Sequence, residues 1–324
     1  MIELSIIIVN YRGWRHLNEC LSILSSFQTI NSWFEVIVVD NYSNDNRLSD
    51  FKESFDKVRF FENSGNYGFS NGCNLGASKS VGNYLLFLNA DIIITEQTLL
   101  ELVEKLKKYN SFAALSCKHF GLTGRTEQLK RIFPDIDTIF GFTRAFKRFI
   151  GSDISIIDDD ILKVDWVSGS VLIMSRETYN SISGWDDHLW LYYEDVDLCR
   201  RISQNIGLIG ISTKSSVIHN HGGSTRINLD TTALTKAEVV ISLHAYISLH
   251  FHKFKCVLIQ FLIVFMQLIG RLVPVLLSYP FPFIPKLVLY RKIYWKLVKY
   301  YTSAIINKTW ISPRSVKYKM YSSR

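Results

Sequence analysis

The chain has 324 residues, 48% of them hydrophobic, and a formal net charge of +8. That length and apolar content suit one large α/β domain plus an appendage. The charge is unevenly spread: thirteen Lys and Arg but no Asp or Glu follow Glu238, so the part up to Glu238 carries about −5 and the tail +13. A mildly acidic globular part thus joins a basic, aromatic tail, whose matching partner is an anionic surface, either membrane phospholipid or nucleic acid. The five cysteines (Cys20, Cys73, Cys117, Cys199, Cys256) are odd in number and form no CxxC pair. This argues against a disulfide framework or structural zinc site and fits a reducing compartment. Met1, Ile2 and Glu3 lead straight into a strand without a basic n-region, so no secretory signal is expected.

Leu4 to Val9 (LSIIIV) reads as a buried strand feeding a loop through Asn10, Tyr11, Arg12 and Gly13. Leu17, Cys20, Leu21, Leu24 and Phe27 then recur at helical spacing. Phe34 to Val39 is a second strand with Asp40 at its end, which completes a βαβ unit. A helix is expected to start at Asn44 or Asp45, and a short third strand at Val58 to Phe61. Asn63 to Gly76 (NSGNYGFSNGCNLG) holds four glycines and four asparagines in fourteen residues. Such a stretch either brings backbone close to a ligand before a helix that ends near Ser80, or is an irregular turn. No GxGxxG follows the first strand, which excludes the dinucleotide fingerprint there.

The stretch that the others serve is Asn83 to Ile94 (NYLLFLNADIII). Tyr84 to Leu88 is an apolar run fit for a strand buried on both faces, and Asn89, Ala90 and Asp91 interrupt it. An unpaired acid cannot remain in the core, so Asp91 must emerge at the strand's carboxyl end, where open α/β sheets place their ligands. The competing reading is a turn aspartate that caps the helix beginning near Glu96.

Glu96 to Lys108 is an amphipathic helix and Ala113 to Cys117 a strand. The irregular segment from Lys118 to Lys163 carries Arg125, Lys130, Arg131, Arg144, Lys147 and Arg148 and is a candidate for contacts with an anionic acceptor. Its Asp158, Asp159, Asp160 run reads as a solvated turn. Val164 to Met174 is a strand broken at Gly169, with Ser175 as a helix cap. Gly184 to Arg201 (GWDDHLWLYYEDVDLCRR) then sets Glu194, Asp195 and Asp197 behind Trp185, Trp190, Tyr192 and Tyr193, at the start of a helix. Carboxylates there are explained either by the helix dipole or by a base shielded among rings. Leu208 to Ile211 and Val217 to Ile218 are the last strands, delivering His219, Asn220 and His221, a modest metal signal.

Four motifs in this order resemble the inverting family 2 glycosyltransferases: SIIIVNY with VVDNYS; NxGFxxGxN at Asn66, Gly68, Phe69, Gly72 and Asn74; LFLNAD; and GWDDHLWLYYEDVDLCRR with HNHGGS beyond it. The likeness is strongest to rhamnosyltransferase-like members that build bacterial O-antigen and related surface polysaccharides. It implies an α/β GT-A fold that binds a nucleotide-diphospho-sugar, a Rossmann-like mixed sheet with flanking helices, over residues 1–230, and a helical membrane-associating region over 231–324. It implies that Asp91 holds a divalent metal, Mg2+ or Mn2+, on the donor diphosphate, that Asn89 contacts the donor, and that His219 completes the metal site, with His221 as the alternate. Asp195 maps to the catalytic base, with Glu194 beside it. Asp40 maps to the acid that hydrogen-bonds the donor's pyrimidine, with Asn41 as a further donor contact, Asn10 and Tyr11 to the wall behind the base, and Asn71 or Asn74 to the ribose or diphosphate. Trp185, Trp190 and Tyr193 are the expected acceptor contacts. One departure stands out: the family's two-acid metal motif is reduced to Asn89, Ala90, Asp91, which implies weak metal binding in the absence of donor.

The tail turns helical from about Thr232, with His244, His250 and His252 expected at a surface or interface. Cys256 to Gly270 is apolar for fifteen residues but includes Gln260 and Gln267, and Arg271 follows. A span needs about 20 apolar residues, so an interfacial or partly embedded segment is expected. In Lys286 to Tyr301, Lys292, Lys296 and Lys299 share one helical face, and Leu289, Ile293 and Leu297 another, with Trp295 suited to an interface belt. A helical surface for a homo-oligomer is the alternative, whereas nucleic-acid binding would leave the apolar run without a role. The combined expectation is an enzyme on the cytoplasmic face of a bacterial inner membrane. It takes a dTDP- or UDP-sugar, dTDP-L-rhamnose being one, and adds one sugar to a polyprenyl-diphosphate-linked saccharide. A non-catalytic docking protein of a polysaccharide assembly complex with the same fold is the rival reading.

Overall fold

The computed structural model describes residues 2–28, 33–124, 126, 131–140, 156–157, 160–220 and 228–322. The chain forms two compact units: one of residues 1–66, 72–186 and 195–221, and one of residues 67–71, 187–194 and 222–324.

Among the described residues the first unit is built on a ten-stranded mixed sheet. Strand β1 (Leu4–Asn10) lies between β2 (Phe34–Asp40) and β4 (Tyr84–Leu88), parallel to both, and β3 (Val58–Glu62) extends the parallel set beyond β2. These runs are apolar at successive positions because helices cover both faces of the sheet. Helix α1 (Trp14–Phe27) buries Leu17, Cys20, Leu21 and Leu24, the predicted face. Helix α2 (Arg47–Ser54) starts later than Asn44 or Asp45, because Tyr42, Asn44 and Asn46 all adopt left-handed backbone that a helix cannot continue through. Helix α3 (Phe69–Lys79) explains two of the clustered glycines. A Cβ on Gly72 would lie 2.7 Å from Val9 Cγ1, and one on Gly76 2.5 Å from Ile7 Cγ2, so the helix rests directly on β1.

Beyond β4 come β5 (Ile92–Ile93), α4 (Glu96–Lys108) and β6 (Phe112–Gly121), the last running four residues past the expected Cys117. A short helix α5 (Ile136–Ile139) and the strands β7 (Ile156–Ile157), β8 (Ile161–Val164) and β9 (Val171–Ser175) come next. The expected single strand from Val164 to Met174 is therefore two strands in different parts of the sheet: β9 pairs antiparallel with β4 and β6. Helix α6 (Arg176–Ser181) is capped by Ser175, as expected, and α7 (Glu194–Asn205) precedes β10 (Leu208–His219). Strand β10 merges the two expected last strands, with an irregularity between Ser212 and Ser216 absorbing the polar residues between them. It pairs antiparallel with β8.

In the second unit, α8 (Leu229–His250) packs on α11 (Pro285–Ile306); α9 (Lys253–Ile269), α10 (Leu272–Leu277) and a short helical end over Val316–Tyr318 and Lys319–Ser322 also belong to it. Helix α11 buries Ile293, Leu297, Tyr300 and Tyr301, while Lys299 is exposed and Lys292 pairs with Asp230 at 2.6 Å. His244, expected near a surface, is fully buried: its ring stacks on Trp310 at 4.8 Å and its nitrogens meet Gln260 and Tyr301. Helix α9 buries only Ile259, Gln260 and Ile263. The stretch Lys253–Leu277 is, by length and composition, long and apolar enough to cross a membrane.

Candidate active site

Parallel pairing sets Asn10 and Asp40 in register at the carboxyl ends of adjacent strands. Asn10 Nδ2 donates to Asp40 Oδ1 (3.0 Å), the Ser43 amide to Asp40 Oδ2 (2.9 Å) and the Ser43 hydroxyl to Oδ1 (2.5 Å). A carboxylate offers about four acceptor positions, so these bonds orient Asp40 and leave it room for one more donor, as a pyrimidine edge provides. Both residues are buried, whereas Tyr11 is exposed beside them. Arg12, not singled out from the sequence, has φ 55 and ties this loop to the next, with its amide on Ser43 Oγ (2.8 Å) and Nε on Ser43 O (3.0 Å). Asn41 accepts from Asn63 Nδ2 (3.0 Å) and donates to Asn66 Oδ1 (3.2 Å), which fastens the asparagine-rich stretch to the end of β2.

Asp91 does not cap α4; Thr95 does, accepting from the Thr98 amide at 3.2 Å. Strand β5 instead runs antiparallel to the end of β10, with Ile92 opposite His219, and the Asn220 amide donates to Asp91 O at 2.9 Å. This pairing brings His219 Nε2 to 3.5 Å from Asp91 Oδ1. Two ligands on one octahedral ion with bonds of about 2.1 Å lie roughly 3 Å apart when adjacent, so a carboxylate oxygen and an imidazole nitrogen so placed fit one Mg2+ or Mn2+. Among the described residues no group of three such side chains gathers. His221 lies outside the described residues. His119, on the part of β6 beyond the expected end, packs its ring against His219 at 5.7 Å. Only the alternation Lys118, His119, Phe120 could have signalled it.

Asp195 is the second residue of α7, which follows Tyr192 and Tyr193, both left-handed (φ 71 and 65). Its Oδ2 accepts from the Gly169 amide (3.3 Å) and its Oδ1 from the Val196 amide (2.8 Å). Burial pushes the Asp195 carboxyl above its ordinary value, and the Gly169 amide and the charge of Arg131 hold it back. The same turn grips the strand that leads to Asp91, because the Asn89 amide donates to Ser170 O at 2.9 Å. One three-residue turn, Ser168 to Ser170, thus holds both Asp195 and the backbone two residues before Asp91. Asp197 has a different fate: it is buried against Arg201, with N–O distances of 2.9 and 2.6 Å, and Arg201 also clamps Ile182 O and Gly184 O. Glu194 is 8% exposed.

Other expected residues are placed elsewhere. Trp185 is a core residue, 2% exposed with its ring edge-on to Phe87 at 5.0 Å, so it presents no face to an acceptor sugar. The Asn74 amide is engaged with the fold: Oδ1 accepts from Tyr179 Oη (2.6 Å) and the Trp185 amide (3.0 Å), and Nδ2 donates to Trp185 O (2.9 Å). In the second unit Asn71 Nδ2 reaches Asp187 Oδ2 at 3.5 Å, Trp190 lies under Arg314, and the Tyr193 ring packs against Tyr246. Of the basic residues in the irregular segment, Arg131 stacks on Trp166 at 4.7 Å; Arg125, Lys130, Arg144, Lys147 and Arg148, with Asp158 and Asp159, lie outside the described residues.

The profile of glycosyl transferase family 2 matches residues 5–167. The chain is 25% identical over 226 residues to the low-salt glycan biosynthesis hexosyltransferase Agl10 of Haloferax volcanii, covering 67% of each. It is 28% identical over 148 residues to the rhamnosyltransferase WbbL of Escherichia coli K12, covering 43% of this chain and 55% of that one. Among solved structures, the mannosyltransferase PcManGT of Pyrobaculum calidifontis, in complex with GDP-Man and Mn2+, has the same fold. Its TM-score is 0.53 at 16% identity, over 78% of this chain and 65% of that one. The matches thus span between about half and two thirds of the relatives' own lengths. With a GT-A-like mixed sheet, and a family profile that covers half of its length, the chain belongs to glycosyl transferase family 2.

Proposed function

We propose that this protein is an inverting glycosyltransferase that moves one sugar from a nucleoside-diphosphate donor to a hydroxyl of a lipid-linked saccharide. The observation that carries the reading is the shared turn, which holds a buried carboxylate with raised proton affinity, Asp195, and the strand end leading to Asp91. In the reaction the acceptor oxygen attacks the anomeric carbon and the bond from that carbon to the diphosphate oxygen breaks. The hydroxyl proton passes to the Asp195 carboxylate. A carboxylate whose proton affinity is raised by burial takes that proton more effectively than an ordinary one. Asp91 and His219 would hold the divalent metal, which supplies charge neutralisation for the departing diphosphate. Asp40, Asn10 and Tyr11 would receive the base of the nucleotide.

L-Rhamnose carried on dTDP is the donor favoured here, because the Escherichia coli relative is a rhamnosyltransferase. The second unit supports a lipid-linked acceptor. Phe254, Val257, Phe261, Phe265 and Ile269 form an exposed apolar stripe on α9, and no acid follows Glu238 to oppose an anionic leaflet. We assign the enzyme on this basis to the cytoplasmic face of a bacterial inner membrane. The test is nucleotide release from a panel of UDP-, GDP- and dTDP-sugars with Mg2+ or Mn2+ and membrane extract bearing lipid-linked oligosaccharide. Acceptor-dependent release from one donor, lost in Asp195→Asn while donor binding persists, supports the reading. Silence of the folded protein across the panel refutes it in favour of a docking role.

A further inference from the structure

The loop from Asp187 to Glu194 delivers the chain to Asp195, and it belongs structurally to the C-terminal unit. The Ser315 hydroxyl donates to Asp187 O at 2.6 Å, and the Ser242 hydroxyl donates to Leu191 O at 2.7 Å. Both serines are buried, at 4% and 1% exposure. Ser315 Oγ also accepts the Lys317 amide at 3.1 Å, which turns its proton toward Asp187. Arg314 covers the Trp190 ring at 5.4 Å, and Tyr246 lies 5.7 Å from the Tyr193 ring. At the middle of the loop the Phe69 amide donates to Trp190 O at 2.9 Å, where Gly68 (φ +95) leaves no room for a Cβ. Two adjacent tyrosines in left-handed backbone persist only where surrounding contacts over-determine them. Here those contacts come from residues far along the chain, in a region the sequence marks only as a membrane tail.

We infer that Ser242 and Ser315 are positioning residues of the transfer reaction, holding the Asp187 to Glu194 loop so that Asp195 enters its helix in the orientation that meets the acceptor hydroxyl. The inference rests on the glycosyltransferase reading above. It also gives a functional role to two side chains that lie outside all four motifs.

The experiment compares the full-length protein with Ser242→Ala, Ser315→Ala and the double variant, using the donor that the panel identifies. Ser278→Ala is the control, since among the described residues that buried hydroxyl bonds only Val275 O in its own turn. The expected result is a kcat lower by about tenfold in each single variant and more in the double. The donor KM, the nucleotide affinity and the thermal midpoint stay near those of the control. Hydrogen exchange of the 187–194 amides should rise in the same variants. Unchanged kcat in the double variant overturns the inference. So does a fall in kcat that only tracks a lower thermal midpoint and a higher donor KM, because that is loss of fold. A wild-type protein silent on the whole panel refutes the glycosyltransferase reading and this role with it, whereas an active wild type with unaffected variants refutes the positioning role alone.

Discussion

Glu238 is a buried acid in the middle of α8, 1% exposed, with a hydrogen bond from Ser312 and the charge of Arg314 nearby. Burial outweighs both and pushes its carboxyl from 4.5 up to about 7. The folded protein therefore keeps a proton that the unfolded chain gives up above pH 4.5. The stability from this group is fully present below that pH and is lost as pH rises through 7. At about 1.4 kcal/mol per tenfold change in proton affinity, the loss is about 3 kcal/mol. His244, in the same unit, works in the opposite sense: burial presses its imidazole down from 6.5 to about 4, so its contribution is present above pH 6.5 and lost as pH falls. Glu238→Gln keeps the shape and an acceptor for Ser312 but removes the titration. Thermal melts of the full chain and the variant at pH 4.5, 6.5 and 8, in one detergent, isolate the effect, since every other titration cancels in their difference. The variant should gain on the wild type by about 3 kcal/mol, or about 6 °C, between the lowest and highest pH. Its own curve should rise from pH 4.5 to 6.5, where His244 is no longer opposed. Parallel curves within about 1 kcal/mol at all three pH values would refute the claim that Glu238 is buried neutral.

Asp91→Ala and His219→Ala should each weaken Mn2+-dependent donor binding by roughly tenfold or more, measured by nucleotide titration with and without metal; unchanged affinity in metal would remove that residue from the site. Gly72→Ala should cost about 1–3 kcal/mol by forcing α3 away from Val9, read from denaturant midpoints, and a neutral result would mean the helix moves freely on β1. Trp185→Phe should lower stability without changing the acceptor KM, since the ring contacts Phe87 in the core; a raised acceptor KM at unchanged stability would return it to the acceptor site.

Local pattern made part of this protein legible in its sequence. The strands ending at Asn10, Asp40 and Leu88, the face of α1 and the capped helix after Ser175 each rest on periodicity or cap chemistry, and the order of four motifs carried the family. Partnership between distant segments was not legible. Whether Asp91 caps a helix or faces a histidine depended on β5 pairing with β10, a long-range register that no run of residues specifies. Whether Asp197 or Asp195 is available for chemistry depended on where Arg201 and Gly169 lie. Trp185 and Trp190 look alike in the sequence, yet one is core and the other sits under an arginine from the far end of the chain. By itself the sequence determined the first parallel strands, the acids near their ends and the charged tail, because backbone propensity and burial act locally. Only the tertiary structure decided which acid meets which partner, because hydrogen bonds and ion pairs act over a few ångströms between residues far apart in the chain.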